Sequence, residues 1–431
     1  MNKRTEVGSR KQERKTSVAL STVMQQLVLP MMVGVEATRD GLLSFVHQMG
    51  LRALDELLGI EAESIAGPKG RKLPSRTHHH WGTARTPLPF GGRTLKIERP
   101  RVRRKSGGEE VLPSLQAFCA ADPMSERVVE QIVLGVSTRG YERSLEPVPA
   151  DAEVAGTSKS SASRALIDGT AQKLAEFLDR KLDDVDLIAM FIDGLEIADK
   201  TTVVALGVTR DGTKIPLGIW LGSTENTALT TSLVQNLLER GLCVTEKTLF
   251  VIDGGKGIRR ALQDVFGDNA VVQRCQVHKT RNVRDHLPEE RRGYVTKQMN
   301  EAYRSTNAKV AKKRLLQLAN WLESNDEDGA AASLREGLDE TLTVLRLDLP
   351  AALRRTFATT NAIENMNGTI RRVCRNVKRW RDEGMIRRWV ALGIGEARSK
   401  FRRVKGFKFM PALVAALRPT TTSLESESKV A

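Results

Sequence analysis

A mixed α/β core wrapped in helices is the fold class this sequence predicts, and three observations carry it. Five short runs, Leu187–Ile192, Thr201–Val208, Lys214–Leu221, Thr248–Ile252 and Ala270–Arg274, are apolar and partly β-branched, as strands require. The first three are joined by turns such as Arg210-Asp-Gly-Thr213, and helix-periodic segments separate the later ones. A β-meander therefore passes into β–α–β, giving a mixed sheet covered on both faces. From Pro288 to about Leu349 the pattern is purely helical, which sets a helical block between the sheet and a final basic helix.

Taken in order, residues 1–20 read as disordered and Gln25–Leu58 as a helix, with Leu42, Phe45, Val46, Met49 and Leu54 at helical spacing. Gly67–Pro100 is rich in Gly, Pro and Arg and reads as a loop ending in a small hairpin around Arg93-Thr-Leu-Lys-Ile-Glu-Arg99. A helix follows from Ser125 to about Val136, Pro147 and Pro149 interrupt the chain, and a second short helix starts within Gly156-Thr-Ser-Lys-Ser-Ser-Ala-Ser-Arg-Ala-Leu-Ile167. Two short helices split by a turn, the second opening with hydroxyl residues, Lys159 and Arg164, are compatible with a helix-turn-helix. Capping chemistry in an ordinary bundle explains the same residues. Between the strands, helices are predicted at Glu225–Arg240, where Leu229, Leu233 and Leu237 lie four apart, and at Lys256–Phe266. In the helical block Trp321, Leu334, Leu338, Leu342 and Leu345 are the expected buried anchors, and the polar tail from Thr420 reads as disordered.

The chain has 431 residues, with 68 Lys and Arg against 52 Asp and Glu, a formal net charge of +16, and 40% hydrophobic residues. That apolar content excludes a wholly disordered chain. No apolar run reaches the length of a membrane span, and the charged start MNKRTEVGSRKQERK has no signal core behind it, so a cytoplasmic protein is expected. Cys119, Cys243, Cys275 and Cys374 form no C-x-x-C pair, which argues against a disulfide framework or zinc ribbon. The charge is localised: Lys69–Lys105 and Asn365–Lys408 each carry a net +11. Blocks of this kind point to nucleic acid, with affinity dominated by phosphate contacts and sensitive to salt.

Asp193 ends the run Leu-Ile-Ala-Met-Phe-Ile, Asp253 ends Thr-Leu-Phe-Val-Ile, and glycine follows each. Ligands of open α/β sheets bind outside the carboxyl ends of strands, so two such carboxylates can converge on a Mg²⁺ ion and a phosphodiester. Ordinary Asp-Gly turns explain either residue alone. Glu364 falls in the first turn of a helix whose apolar face is Ile363, Met366, Ile370, Val373 and Val377. Asn361-Ala-Ile-Glu364 fits a capping box, but the opposite face carries Arg371, Arg372, Arg375, Lys378 and Arg379, which suits a phosphate backbone. Cys275 and His278 alone cannot close a zinc site, and a packing or orienting role suits them better. His78-His-His80 beside Trp81 reads as a loop or DNA contact, and Asp253-Gly-Gly-Lys-Gly departs from the phosphate-loop pattern.

Taken together, Phe191-Ile-Asp-Gly, Gly222-Ser-Thr-Glu-Asn226, Phe250-Val-Ile-Asp-Gly-Gly-Lys-Gly, Arg274-Cys-Gln-Val-His-Lys279 and Thr359-Thr-Asn-Ala-Ile-Glu-Asn-Met-Asn367 resemble the Mutator-type bacterial insertion-sequence transposases. The resemblance spans about Asp186–Lys408; upstream it is limited to the helical start, Arg99-Pro-Arg-Val-Arg103 and the helix-turn-helix candidate. Leu221 stands where an acidic residue is more usual.

The resemblance implies a ribonuclease-H-like core, interrupted by an all-helical insertion and preceded by a mainly helical DNA-binding region. It implies an Asp, Asp, Glu triad on Asp193, Asp253 and Glu364 binding two Mg²⁺ or Mn²⁺ ions, with the family's C-x-x-H signature on Cys275 and His278. The expected segments are a helical region 1–66, a basic linker and hairpin 67–115, a helical DNA-binding region 116–182, a core in two parts, 186–284 and 353–410, split by an insertion at 285–352, and a flexible tail 411–431. Arg101, Arg103, Arg104, Lys159 and Arg164, with the basic residues of the Glu364 helix, are the expected DNA contacts. The expected activity is metal-dependent cleavage and strand transfer at terminal inverted repeats, by a homodimer or larger assembly on nucleoid DNA. The alternatives are a non-catalytic DNA-binding regulator and a metal-dependent nuclease on the same scaffold.

Overall fold

A computed structural model describes residues 39–418 apart from 72–73, 121–122, 150–151 and 225. The expected disordered start and the end of the tail lie outside the described residues. The chain divides into two compact units, Met1–Gly169 and Thr170–Ala431.

In the first unit, α1 (Arg39–Ala66) buries Leu54, Leu58, Ala62 and Ala66, one stripe at a spacing of four, against Leu88, Val102, Leu112 and Leu115. Leu42 and Val46, expected on the apolar face, are exposed. The expected loop and small hairpin is a long one, β1 (His78–Phe90) with β2 (Arg93–Arg104), joined by β3 (Glu109–Glu110) and β4 (Val154–Ala155). Prolines make this stretch read as loop, but Pro87 and Pro89 lie on an edge strand, where a missing N–H is tolerated. Gly91 and Gly92 turn the hairpin with φ of 55° and 78°, and Tyr141 donates to the Gly92 carbonyl at 2.5 Å.

Two short helices follow, α2 (Pro113–Ala120) and α3 (Pro123–Val133), and α4 (Lys159–Asp179) begins in this unit and ends in the next. The helix-turn-helix expected of the Ser125 and Gly156 segments does not form: residues 134–158 between α3 and α4 include a 3₁₀ turn and strand β4, and α4 is long.

The second unit holds a five-stranded sheet of β5 (Leu187–Ile197), β6 (Lys200–Thr209), β7 (Lys214–Gly222), β8 (Thr248–Ile252) and β9 (Ala270–Arg274). The order is β7-β6-β5-β8-β9; β5 pairs antiparallel with β6 and parallel with β8. One face packs on α5 (Thr227–Glu239) and α6 (Lys256–Phe266): Met190, Ile192, Phe250 and Ile252 join Leu229, Leu233, Leu237, Ile258 and Leu262 in one core. α5 starts at Asn226, whose side chain accepts from Leu229 N at 2.8 Å, a cap for an otherwise orphaned amide.

The helical block comprises α7 (Gln276–Asp285), α8 (Glu289–Tyr303), α9 (Ala308–Glu323), α10 (Asp328–Arg335) and the short α11 (Leu338–Thr341) and α12 (Thr343–Arg346). It has its own core, in which Leu334, Leu338, Leu342 and Leu345 are buried and Trp321 is partly so. Polar side chains tie it to the sheet. Gln273 donates to Thr341 O at 3.0 Å and accepts from Val344 N at 2.9 Å, and Thr343 donates to Val272 O at 2.6 Å. The chain returns through α13 (Ala351–Phe357) to α14 (Asn361–Cys374) and α15 (Glu383–Arg398), and ends in α16 (Met410–Leu417).

Candidate active site

The pleat decides which way the strand acids face. Along β5, Met190 and Ile192 enter the core shared with α5 and α6, while Phe191 stacks on Phe357 with ring centroids 5.9 Å apart on the opposite face. With a side-chain period of two, Asp193 shares the Phe191 face, and Asp253 by the same parity follows Leu249 and Val251. Ile192 pairs with Ile252 in the last rung of the parallel ladder, so the two aspartates are the next residues on neighbouring strands. Asp193 does not close its strand, however. β5 continues to Ile197 because Asp193 and Gly194 pair with Val204 and Val203 of β6. A turn role is thereby excluded for Asp193. Asp253 opens the loop before α6, and its Oδ1 accepts from Gly255 N at 2.8 Å.

α14 covers this face of β5. Ile363, Met366, Ile370 and Val373 are buried at helical spacing, as expected of the apolar stripe, and so is a polar residue, Asn367. Asn367 Nδ2 donates to Asp193 Oδ2 at 2.8 Å, while its own Oδ1 is buried with no partner among the described residues. Glu364 lies one turn earlier. The helix begins at Asn361 with Thr360 as its N-cap, so Glu364 is the fourth helical residue and not part of an Asn361 capping box. Thr360 donates to Glu364 Oε1 at 2.5 Å.

Buried Thr360 also joins the C-x-x-H pair to this helix. Its Oγ1 is 3.3 Å from Cys275 Sγ and 3.3 Å from His278 Nδ1, and its amide reaches Sγ at 3.5 Å. A threonine hydroxyl has one proton; with it given to the carboxylate, the lone pairs remain for His278 or the thiol. Cys275 is held in place by its amide, which donates to Ile252 O at 2.7 Å. His278 Nε2 stands 3.8 Å from Glu364 Oε1.

Electrostatics mark the cluster. Burial first, then the charges of Asp253 and Glu364, push the Asp193 carboxyl up to about 6, against the opposing influence of His278 and the Asn367 bond. His278 is held above the usual histidine range by its hydrogen bond to Cys275 and, against burial, by Glu364 and Asp253. Burial would raise the Cys275 thiol, but hydrogen bonds from His278 and Thr360 outweigh it and lower it. Three carboxylates with no lysine or arginine partner among the described residues form a set of hard oxygen donors with a local excess of negative charge, which a divalent cation would relieve. Cys275, His278 and Glu364 offer ligand atoms within 4.8 Å of one another, but the Thr360 hydroxyl already bridges all three.

The basic candidates fall into separate places. Arg371, Arg372 and Arg375 are exposed along or just past α14, which ends at Cys374, so exposed Lys378 and Arg379 follow the helix and are not on its face. Arg372 pairs with Glu396 at 3.3 Å. In the first unit, Arg101 pairs with Glu109 at 2.7 Å, Arg104 pairs with Glu110, and Arg103 lies 4.9 Å over the Trp81 ring. The hairpin's charge is thus partly neutralised by acids just beyond the basic run. Lys159 and Arg164 are exposed on α4. Asn367 and Thr360 carry no role in the sequence reading; a polar residue within the apolar stripe of α14 is the available signal for Asn367.

Among the described residues no helix is long and apolar enough to cross a membrane. The chain is 25% identical over 307 residues to the transposase of insertion sequence element IS905 from Lactococcus lactis, covering 69% of this chain and 74% of that protein. It is 27% identical to the IS256 transposase in transposon Tn4001 of Staphylococcus aureus, over 65% and 70% of the two chains. It is 24% identical to the ISRM3 transposase of Rhizobium meliloti, over 80% and 82%. The model of the Mutator family of transposases matches residues 34–403, nearly the whole described chain and both of its units, and the chain belongs to that family.

Proposed function

We propose that this transposase is of the DDE type, with a ribonuclease-H-like core, and that it cleaves the terminal inverted repeats of its own insertion sequence and joins them to target DNA. The observation that carries the reading is the convergence of Asp193, Asp253 and Glu364, from two adjacent strands and one docked helix, into a cluster in which burial first, then the charges of Asp253 and Glu364, raise Asp193. The strand order, three antiparallel strands continued by two parallel ones, supports the ribonuclease-H-like reading.

Asp193, Asp253 and Glu364 would hold two Mg²⁺ or Mn²⁺ ions. Bound there, such ions supply Lewis-acid activation of water or a 3′-hydroxyl and neutralise charge on the phosphate. The protein's own part is positional. Asn367 fixes the Asp193 carboxylate, Thr360 fixes that of Glu364, and His278 beside Glu364 offsets its negative charge. Residues 1–182 recognise the ends, with Lys159 and Arg164 on α4 and Arg103 of the hairpin among the contacts; Arg371, Arg375, Lys378 and Arg379 lie along DNA held at the site. Pairing of two ends requires two or more protomers, acting on nucleoid DNA. The segments 186–284 and 353–410 form one catalytic unit, with 285–352 as its insertion.

The test is incubation of the protein with labelled duplexes carrying the inverted repeats that flank its gene, or a scrambled sequence, with Mg²⁺, Mn²⁺ or EDTA. Metal-dependent nicking at the repeat boundary, lost in Asp253→Asn with end binding retained, is expected. Tight binding without cleavage would favour the regulator, and equal cutting of both duplexes the unspecific nuclease.

A further inference from the structure

Between α7, α8 and α13 lies a groove of about 640 Å³. Five arginines line it: Arg281 and Arg284 from α7, Arg304 just past α8, and Arg354 and Arg355 from α13. No aspartate or glutamate lines it. Among the described residues none of the five forms an ion pair; the only side-chain bond among them is from Arg354 to Ser305 O at 3.5 Å. Elsewhere in the second unit some arginines find carboxylates, as Arg259 does Glu340, Arg291 does Glu327 and Arg335 does Glu323, while exposed Arg314, Arg371 and Arg375 form no ion pair among the described residues. What sets the groove apart is five arginines on one lining that holds no acid, and gathering five like charges there is unfavourable unless an anion joins them.

The groove adjoins the acid cluster without including it. None of the three carboxylates lines it, but Thr359, next to Thr360, does, as do Gln276 and Val277 beside His278. The Thr359 hydroxyl is buried and has no hydrogen-bond partner among the described residues. Guanidinium forks match phosphate oxygens in pairs, and a row of them fits a repeating phosphate chain better than one small anion. A volume of this order takes a drug-sized ligand. That is the size of a nucleotide or two of one strand, not of a duplex.

We propose that this groove holds the phosphodiester backbone of the single DNA strand next to the bond being cut, in register with the acid cluster. The inference rests on the proposed cleavage site and adds the path the substrate takes away from it, along the seam between the helical block and α13.

The experiment is fluorescence anisotropy of the full chain with a labelled duplex of arbitrary sequence bearing a ten-nucleotide single-stranded 3′ extension, titrated over a range of salt. Each single-strand phosphate that the protein no longer neutralises lowers the slope of log affinity against log salt by about 0.7, so Arg281→Gln with Arg284→Gln is expected to lower it by about 1.4. Arg355→Gln, on a different helix, is expected to lower it by about 0.7. Arg281→Lys with Arg284→Lys should retain most of the slope, which shows that the Gln pair has not acted through misfolding. Lys309→Gln with Lys313→Gln, exposed on α9 away from the groove, should leave it unchanged. An unchanged slope in the arginine variants, or an equal loss in the lysine control, overturns the groove assignment. Wild-type cleavage of the repeat ends alongside either result leaves the proposed function standing, whereas a wild type that binds no DNA overturns both.

Discussion

Replacing Asp193 by asparagine should stabilise the metal-free protein while abolishing strand transfer. The Asp193 carboxyl is raised from its ordinary 3.8 to about 6 by burial and by Asp253 and Glu364, so the native state holds a proton that the unfolded chain has released. Between those two values stability falls as pH rises, because the native state binds more protons there than the unfolded state. Above about pH 6 the wild type carries the full penalty. A shift of this size corresponds to a ceiling of roughly 3 kcal/mol. Asparagine removes the charge at nearly constant volume, can still accept from Asn367 Nδ2, and brings an amide donor beside the unpartnered Asn367 Oδ1. Thermal melts in EDTA at pH 8 should show the variant above wild type by a ceiling of roughly 6–12 °C, at about 2–4 °C per kcal/mol for a unit of this size. The gap should close as pH falls toward 4. Added Mg²⁺ should narrow the gap, since a ligand at ten times its Kd adds about 1.4 kcal/mol to the state that binds it, and the variant lacks a ligand. A variant less stable than wild type at pH 8 in EDTA, or a gap indifferent to pH, would refute this account of the cluster.

Asn367→Leu, close in size and apolar like its neighbours, should fold but bind Mn²⁺ and transfer strands about 10–100-fold less well, because the group orienting the carboxylate proposed to bind metal is gone. Loss of that donor raises Asp193 further, so the acid limb of the pH–rate profile should move to higher pH; an unmoved limb removes Asn367 from the site. Thr360→Val leaves buried Cys275 and half-buried His278 and Glu364 without their shared hydroxyl and should cost about 1–3 kcal/mol in denaturant melts, with Thr360→Ser recovering most of it. Equal stability of Val and Ser variants would show that the hydroxyl contributes nothing. Gly254→Ala sets a Cβ 2.0 Å from Arg274 Nε at a φ of +117°, so it should destabilise the protein by more than about 1 kcal/mol and displace the loop carrying Asp253. A crystal structure of that variant with the loop unmoved would contradict this.

The strand starts, the meander and the helices between strands are legible in the sequence because each depends on local pattern: alternation, four-residue spacing and turn chemistry. The setting of Asp193 escapes such reading for a non-local reason. Asp-Gly favours turns, yet pairing with Val203 and Val204 across the sheet holds it extended. The first unit's hairpin is hidden the same way, since Pro87 and Pro89 forbid only a central strand and the sequence does not announce which strand is an edge. Candidate residues far apart in the chain can be named from their motif, but Asn367 and Thr360 cannot be assigned without knowing that α14 lies on β5. The groove arginines are scattered over Arg281–Arg355, and only the packing of three helices brings them together.

The helical block separates Asp253 from Glu364 along the chain, and this has a consequence in time. At about 5–20 residues per second of synthesis, the segment between the two acids needs roughly 6–20 s to emerge. During that interval β5 and β8 can form and present both aspartates, but no Glu364 exists to complete the cluster, and the edge of β9 awaits the residues of α11 and α12 that will cover it. On the proposed function, a nascent chain is thus unarmed until Glu364 is made, and a message truncated within the block yields a product able to carry two of the three acids and none of the chemistry.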